Sequence, residues 1–248
     1  MTAGSGQPGP AVIFWVPMTR LTILFDLDGT LIDSIELIQR SKSHAFASRG
    51  LPAPSDAEWL QWIGTPLSAM FARYADPADP AAEVARFIAA YRDYQLANHD
   101  RLVRAYEGTR ETLAALRARG LPIGIVTSKS VELSERGLAY TGLLEFIDTI
   151  VGVDSTERHK PDPQPVHEAL SRLGGDPGRA LFIGDSLHDM HAGNAAGVAT
   201  VAALWGPFTR EHLAPSAPRF YLERVADLLP LVAGLDDAGP ETRPEPPA

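Results

Sequence analysis

Two pairs of aspartates have the types and spacing that catalysis or metal binding requires. Asp26 and Asp28 are separated by one leucine and stand between a short apolar run and a Gly-Thr turn. Asp185 follows a second apolar run, and Asp189 lies four residues later, one turn along the predicted next helix and on the same face. A carboxylate with an ordinary pKa near ~4 is ionised at neutral pH, so it can attack as a nucleophile without an activating base.

Carboxylates this close together need a nearby positive charge. Two unit charges 4 Å apart repel by about 4 kcal/mol at an effective dielectric of 20. Mg²⁺ would offset that repulsion at Asp185 and Asp189, because it typically binds one or two carboxylates together with waters and substrate phosphate. A calcium loop of the EF-hand type does not fit at Asp26. Such a loop needs Gly at its sixth position and Glu at its twelfth, where this chain has Leu31 and Leu37.

Two further stretches carry hydroxyl or ammonium groups that could bind an anion. Thr127-Ser128-Lys129 ends one apolar run and precedes a helical pattern, where a hydroxyl and backbone N–H groups form a site for an anion. The alternative for this stretch is a helix cap made by Ser128 or Ser130. Lys160 lies in a proline-containing loop and offers a point positive charge. On its own, such a lysine is most often solvated surface.

Short apolar runs and helical patterns alternate along most of the chain. Buried strands are predicted at 21–25, 121–127, 149–153, 179–184 and 198–203. Helices are predicted at 34–48, 67–74, 79–98, 109–119, 130–140, 165–173, 190–196 and 225–231, with a short one through Trp59 and Trp62. Repeated strand–helix units predict a doubly wound α/β fold with a parallel sheet. Ligands of such sheets bind outside the carboxyl ends of the strands, where the candidate residues stand.

The first two strands are too far apart for one crossover. A strand–helix–strand unit needs about 30 residues, and the surplus here carries only helical patterns. We therefore predict a helical cap domain at 34–104 and a core domain made of 18–33 and 105–233. The cap contains eight basic and eight acidic residues, so the net charge of −9 belongs to the remainder of the chain. Trp59 and Trp62 are predicted to lie in the core of the cap.

Both ends of the chain read as tails. Residues 1–17 are rich in Gly and Pro and are predicted to be disordered or to precede a natural start at Met18. The alternative is an additional edge strand at the apolar run 11–16. Residues 234–248, rich in proline and charged side chains, are predicted to be a disordered tail.

Composition excludes several classes of function. A net charge of −9 and a pI near 5.2 argue against a nucleic-acid partner, which would need clustered cations. The absence of cysteine excludes disulfides, thiolate metal sites and thiol nucleophiles, and it favours a cytoplasmic protein. No run approaches the ~20 apolar residues of a membrane span, so we expect no membrane partner.

The candidate residues occur in the order of the four motifs of the haloacid dehalogenase superfamily. Asp26-Leu-Asp-Gly-Thr resembles the first motif and Thr127 the second, Lys160-Pro161 resembles the third, and Asp185 with Asp189 resembles the fourth. The resemblance spans about 20–231. It implies a Rossmann-like core with a helical cap of the C1 type, which is inserted after the first motif.

The resemblance also implies catalytic and substrate-binding roles. Asp26 would be the nucleophile that carries the phosphoryl group, and Asp28 would be the general acid and base. Thr127, Ser128 and Gly29 would line the phosphoryl site. Lys160 would hold the charges of the nucleophile and the phosphate together.

A Mg²⁺ site is implied in the same way. Asp26, Asp185 and the main-chain carbonyl of Asp28 would be ligands, and Asp189 would be a further ligand or a supporting acid. Zinc would be an alternative if His188 and His191 were ligands. The family pattern has no metal-binding histidine there, so we interpret both as partly exposed helix residues.

The substrate class rests on weaker similarities. The stretches 91–95, 106–108 and 63–67 resemble the branch that holds phosphoglycolate phosphatases and a bacterial pyrophosphatase. We expect a Mg²⁺-dependent phosphohydrolase that acts on a small phosphorylated metabolite of the phosphoglycolate type through an aspartyl phosphate, as a monomer or homodimer. Inorganic pyrophosphatase is the alternative.

Four other functions fit the residues less well. A haloacid dehalogenase should lack the second acid, here Asp28, and should need no metal. A sugar phosphomutase would isomerise its substrate without net phosphate release. A phosphoprotein-binding module would be expected to have lost Asp26 or Asp28, and a dinucleotide-dependent dehydrogenase needs a Gly-x-Gly-x-x-Gly motif that does not open the first helix.

Overall fold

The computed structural model describes residues 20–237. The predicted tail 1–17, the alternative strand at 11–16 and most of the predicted tail 234–248 lie outside the described residues. Residues 234–237 are described, and there the prediction of disorder is wrong because they form the end of the last helix. Leu235 packs against the core cluster, and this apolar contact extends the helix beyond the expected end.

The strands form one parallel sheet and one short antiparallel pair. They are β1 (Thr22–Phe25), β2 (Ile32–Asp33), β3 (Arg104–Ala105), β4 (Ile123–Val126), β5 (Thr149–Val151), β6 (Ala180–Gly184), β7 (Ala199–Ala203) and β8 (Phe220–Leu222). The six-stranded sheet has the order β5-β4-β1-β6-β7-β8, and its pairs are all parallel. This confirms the predicted Rossmann-like α/β fold. The sequence pattern missed β8, whose three residues are only half-buried at the edge of the sheet.

The central strands are buried on both faces. Every residue of β1, β4 and β6 is buried, as expected for parallel strands covered by helices on both sides. Phe25, the last residue of β1, is level with Ile125 of β4 and Ile183 of β6. The carboxyl ends of these three strands therefore meet at one edge, and the candidate residues follow them.

Ten α-helices surround or extend this sheet within the described residues. They are α1 (Ile35–Ser48), α2 (Asp56–Leu60), α3 (Leu67–Ala72), α4 (Pro80–Leu102), α5 (Thr109–Ala118), α6 (Val131–Tyr140), α7 (Gln164–Leu173), α8 (Leu187–Ala196), α9 (Arg210–Leu213) and α10 (Leu228–Asp237). Helix α8 begins earlier than the predicted 190, because Ser186 and Asp189 form a capping box at its start. None of the helices described between 20 and 237 is both long and apolar enough to cross a membrane.

The segment predicted as a cap has its own apolar cluster. Helices α1 to α4 pack around the fully buried Trp59 with Phe46, Phe71 and Phe87, and Trp62 packs against this cluster while partly exposed. The rings of Phe71 and Phe87 are stacked with centroids 4.9 Å apart. The helices of this segment therefore share an apolar cluster of their own, and the division at 34–104 stays a prediction.

The two ends of the insertion lie side by side. Strands β2 and β3 pair antiparallel, with Ile32 opposite Ala105 and Asp33 opposite Arg104. The chain therefore leaves the core and returns to it at one place. Two-residue strands carry too little pattern to be predicted from sequence.

Candidate active site

Asp26 is the first residue beyond β1 and lies buried at the centre of the sheet edge. Its main-chain N–H donates to the carbonyl of Ile183, 2.8 Å away, which fixes its backbone against β6. Its Oδ1 accepts a hydrogen bond from Lys160 Nζ at 2.7 Å. Burial raises the pKa of Asp26 to about 7, and the charge of Lys160 opposes this increase.

Asp185 is fully buried beside Asp26. Its Oδ1 accepts a hydrogen bond from Thr30 Oγ1 at 2.8 Å, whereas its Oδ2 is buried and has no hydrogen-bond partner within residues 20–237. The carbonyl of Thr30 accepts in turn from Trp205 Nε1 at 2.8 Å, which holds the loop after β1 in place. Burial, followed by the charges of Asp26 and Asp189, raises the pKa of Asp185 well above its ordinary value.

Asp189 is engaged through both carboxylate oxygens. Its Oδ1 accepts from Lys160 Nζ at 2.6 Å, and its Oδ2 accepts from the main-chain N–H and the hydroxyl of Ser186 at 3.0 and 2.6 Å. Lys160 Nζ also donates to the carbonyl of Val126 at 3.2 Å. The predicted loop lysine is therefore a buried cation that joins Asp26 to Asp189, and it is not a solvated surface group.

The three buried carboxylates fit a divalent cation. One oxygen from each of Asp26, Asp185 and Asp189 lies within 4.8 Å of the others. Lys160 is one cation among three acids, and the unpartnered Oδ2 of Asp185 and its raised pKa indicate that further positive charge would be favourable there. Carboxylate oxygens are the ligands that Mg²⁺ prefers. Asp26 and Asp185 are the best placed to hold it. Asp189 is better placed to hold Lys160, and the proposed ligation by the Asp28 carbonyl stays a prediction.

Asp28 is not one of the three clustered carboxylates and has contacts of its own. Its Oδ1 accepts from Ser34 Oγ at 2.5 Å and from Lys129 Nζ at 2.7 Å. Sequence reasoning gave neither partner a role. Ser34 precedes α1 and suggests a helix cap, but its side chain makes no capping hydrogen bond and contacts Asp28 instead. Lys129 is part of the Thr-Ser-Lys stretch that the sequence analysis singled out.

Thr127 and Ser128 lie at the carboxyl end of β4, as predicted. Thr127 is buried, and its Oγ1 accepts from the main-chain N–H of Lys129 at 3.2 Å. Ser128 Oγ donates to the carbonyl of Gly64 in the cap at 2.5 Å. The capping role that was left open belongs to Ser130, whose hydroxyl accepts from Leu133 N at the start of α6.

Two glycines allow close approach around the carboxylates. Gly29 has φ +89°, and a Cβ built there would lie 2.5 Å from Asp185 Oδ2. Gly64 has φ +96°, and its Cβ would lie 2.8 Å from Ser186 Oγ. A side chain at Gly64 would therefore strain its backbone and force Ser186 to shift.

The two histidines beside Asp189 do not join the carboxylate cluster. His191 is exposed, while His188 is partly buried and its buried Nδ1 has no hydrogen-bond partner in the part of the chain that the structure describes. Burial lowers the pKa of His188. Among the residues described, the cluster able to hold a metal consists of carboxylates alone.

A cavity separates the candidate residues from the cap. Asp26, Asp28, Thr127 and Ser128 line it from the core. The cap contributes both apolar and polar side chains, which are Ile38, Trp59, Ile63, Leu67, Met70, Tyr91, Arg92 and Gln95. A small molecule in this cavity would contact both parts of the chain.

A protein-family model described as haloacid dehalogenase-like hydrolase matches residues 23–203. The chain belongs to this family. The matched range includes all four predicted motifs, from Asp26 to Asp189.

The curated relatives include Bacillus proteins named pyrophosphatase. Pyrophosphatase PpaX of Bacillus cereus (strain AH820) is 37% identical over 215 residues, which cover 87% of this chain and 97% of that protein. Pyrophosphatase PpaX of Bacillus velezensis is 40% identical over 208 residues, which cover 84% and 94%.

Solved structures share the fold over nearly their whole length. A protein described as a predicted phosphoglycolate phosphatase from Haemophilus somnus superposes with a TM-score of 0.78 at 29% identity, covering 86% of this chain and 97% of that one. A hydrolase of the haloacid dehalogenase-like family from Streptococcus pneumoniae superposes with a TM-score of 0.74 at 25% identity, covering 86% and 98%.

Mg²⁺ is expected to raise the melting temperature, and more so at about pH 8 than at about pH 5. Asp26 has a folded-state pKa of about 7, above the ordinary 3.8. Protonated Asp26 therefore stabilises the folded state. This contribution is fully present below the ordinary pKa of 3.8 and is lost as the pH rises through about 7. Above that pH the buried carboxylate is ionised, and bound Mg²⁺ would offset its negative charge. The measurement is thermal denaturation of chelator-treated protein with and without millimolar Mg²⁺.

Asp185→Asn provides the control for this measurement. The variant removes one buried charge, so it should melt higher than the wild type without metal and gain less from Mg²⁺. Identical melting curves for the wild type with and without Mg²⁺ would contradict the assigned site.

Proposed function

We propose that the protein is a Mg²⁺-dependent phosphohydrolase that acts on a small phosphorylated metabolite through an aspartyl phosphate on Asp26. The observation that carries this proposal is the position of Asp26. It is buried at the end of the central strand, 2.7 Å from Lys160, and belongs to a three-carboxylate cluster. Asp28 lines the same cavity but accepts from Ser34 and Lys129 instead of Lys160, so the two acids can have separate roles.

Asp26 would attack the phosphorus atom of the substrate. A new P–O bond forms to its carboxylate while the bond to the leaving group breaks. Burial alone disfavours the ionised carboxylate, and the contact with Lys160 favours it. Mg²⁺ held by Asp26 and Asp185 would further neutralise negative charge on the nucleophile and the phosphoryl oxygens.

Asp28 would move the protons of both steps. It gives a proton to the leaving oxygen in the first step and takes one from the attacking water in the second. That water breaks the aspartyl–phosphate bond, which releases inorganic phosphate and restores Asp26. The hydrogen bond from Ser34 fixes the position of the carboxylate for both transfers.

The remaining core residues would bind the phosphoryl group. The hydroxyl of Thr127 and the backbone around Ser128 and Gly29 lie at the strand ends that surround Asp26. Lys160 would hold the charge of the bound phosphoryl together with that of the nucleophile. The cap at 34–104 would cover this site and exclude bulk water while the intermediate exists.

We propose a phosphoglycolate-type phosphomonoester as the substrate. The 29% identical structure described as a predicted phosphoglycolate phosphatase supports this choice. Pyrophosphate is a second candidate, because relatives named pyrophosphatase are 37% and 40% identical over most of this chain.

A phosphate-release screen with the full chain and Mg²⁺ tests the proposal. The panel contains phosphoglycolate, pyrophosphate, sugar phosphates and p-nitrophenyl phosphate, and a parallel assay measures halide release from a haloacid. Hydrolysis of phosphoglycolate or pyrophosphate above the others would support the proposal. Halide release without phosphate release would instead assign a dehalogenase, and isomerisation of a sugar phosphate without net release would assign a mutase.

A further inference from the structure

The cavity between cap and core contains a cation that the proposed reaction does not use. Four charged residues line this cavity, namely Asp26, Asp28, Lys129 and Arg92. The first three come from the core. Lys129 is engaged by Asp28 at 2.7 Å, which leaves Arg92 on α4 as the charged group that the cap contributes.

Arg92 differs from the other arginines of its helix. Arg86 pairs with Glu83 at 2.8 Å, and Arg101 donates to Asn98 at 2.9 Å. Among residues 20–237, no hydrogen bond or ion pair engages the guanidinium of Arg92. An unpaired guanidinium at the wall of a cavity is available to an anion that enters it.

The same part of α4 faces the reactive carboxylates. Tyr91 and Gln95 lie one turn apart, are buried and line the cavity together with Arg92. Burial, and after it the charge of Asp28, raises the pKa of Tyr91 far above its ordinary value. The electrostatic effect of Asp28 on Tyr91 indicates that this turn of α4 lies close to the proposed proton donor.

We propose that Arg92 binds a second anionic group of the substrate, on the leaving-group side of the phosphoryl group. This inference rests on the proposed phosphohydrolase function and assigns its specificity. Preferred substrates then carry a carboxylate or a second phosphate one or a few atoms beyond the oxygen that Asp28 protonates.

The chemistry of the cavity limits what else could hold that group. Its other cap side chains are mainly apolar, such as Trp59, Leu67 and Met70, and cannot compensate a buried charge. Guanidinium binds both carboxylate and phosphate through two parallel hydrogen bonds. Phosphoglycolate and pyrophosphate therefore share the feature that Arg92 recognises, although one has a carboxylate there and the other a phosphate.

Arg92→Gln and Arg92→Lys test this assignment, with Arg101→Gln as the matched control. Arg101 lies on the same helix but does not line the cavity. For each variant kcat/KM is measured with Mg²⁺ on phosphoglycolate, on pyrophosphate and on p-nitrophenyl phosphate, which has no second anionic group. Melting temperatures report whether the fold persists.

We expect Arg92→Gln to lower the ratio of kcat/KM for a doubly anionic substrate to that for the aryl phosphate by about 10- to 100-fold. Arg92→Lys should recover part of this ratio, and Arg101→Gln should leave it unchanged. A fall confined to phosphoglycolate identifies the second group as a carboxylate. A fall confined to pyrophosphate identifies it as a phosphate.

Other outcomes overturn the inference and are distinguishable from failure of the proposed function. If the wild type hydrolyses these substrates and Arg92→Gln leaves the ratio unchanged, only the inference fails. The inference also fails, while the proposed function stands, if Arg92→Gln lowers all three activities equally. If the wild type releases phosphate from none of the compounds, the proposed function fails and the inference fails with it.

Discussion

Replacing Asp26 with asparagine is expected to reduce phosphate release by a factor of about 10⁴ or more. An amide cannot form the aspartyl phosphate, and the neighbouring acids have other contacts, with Asp28 accepting from Ser34 and Lys129 and Asp185 accepting from Thr30. The fold should persist, because asparagine has nearly the same volume and Lys160 keeps Asp189 as an ion-pair partner at 2.6 Å. The measurement is steady-state phosphate release with Mg²⁺, alongside a thermal melt.

Two further variants separate the nucleophile from its neighbours. Asp93→Asn changes an exposed aspartate on α4 that does not line the cavity, so it should retain wild-type activity. Asp28→Asn removes the proposed proton donor. It should therefore lose more activity on a substrate with a basic alkoxide leaving group than on p-nitrophenyl phosphate, whose leaving group needs less protonation. Mg²⁺-dependent turnover by Asp26→Asn at a rate near that of the wild type would refute the nucleophile assignment.

Replacing Lys160 with methionine is expected to remove activity and to lower the free energy of unfolding by about 3–5 kcal/mol at neutral pH. The side chain of Lys160 is only 1% exposed and is the shared partner of Asp26 and Asp189. Methionine would leave both acids buried without that cation. Burying unpaired negative charge is costly, and the two acids can avoid that cost only by binding protons. The loss of stability should therefore be smaller at about pH 5 than at about pH 8. Urea denaturation at both pH values measures this.

Lys42→Met is the matched control for this second prediction. Lys42 is also almost fully buried, at 2% exposure, but its partner Asp56 is 70% exposed and stays hydrated when the lysine is removed. This control should lose stability with little difference between the two pH values. An equal loss at both pH values for Lys160→Met would mean that the lysine acts by packing alone.

The sequence was sufficient to predict the sheet and most of its helices. The strands β1, β4 and β6 are short, continuous apolar runs followed directly by polar residues, a pattern typical of central parallel strands. Their carboxyl ends must meet at one edge, so Asp26, Thr127 and Asp185 could be placed near one another before the structure was known.

The supporting contacts could not be predicted, because they join residues that are distant in sequence. Lys129 meets Asp28 across 101 positions, and Trp205 meets Thr30 across 175. Ser34 is close to Asp28 in sequence, but its side chain could equally have capped α1. Hydrogen bonds of this kind depend on how loops from different strands converge, which local periodicity does not encode.

The pairing of β2 with β3 has a consequence for how such enzymes diversify. Residues 33 and 104 lie opposite each other in this two-stranded pair, so both connections between the insertion and the core are at one place. Replacement of the whole insertion between these two strands would leave β1 and β6, which position Asp26 and Asp185, unchanged. Substrate selectivity, carried by the insertion, and catalytic chemistry, carried by the core, can therefore change independently in evolution.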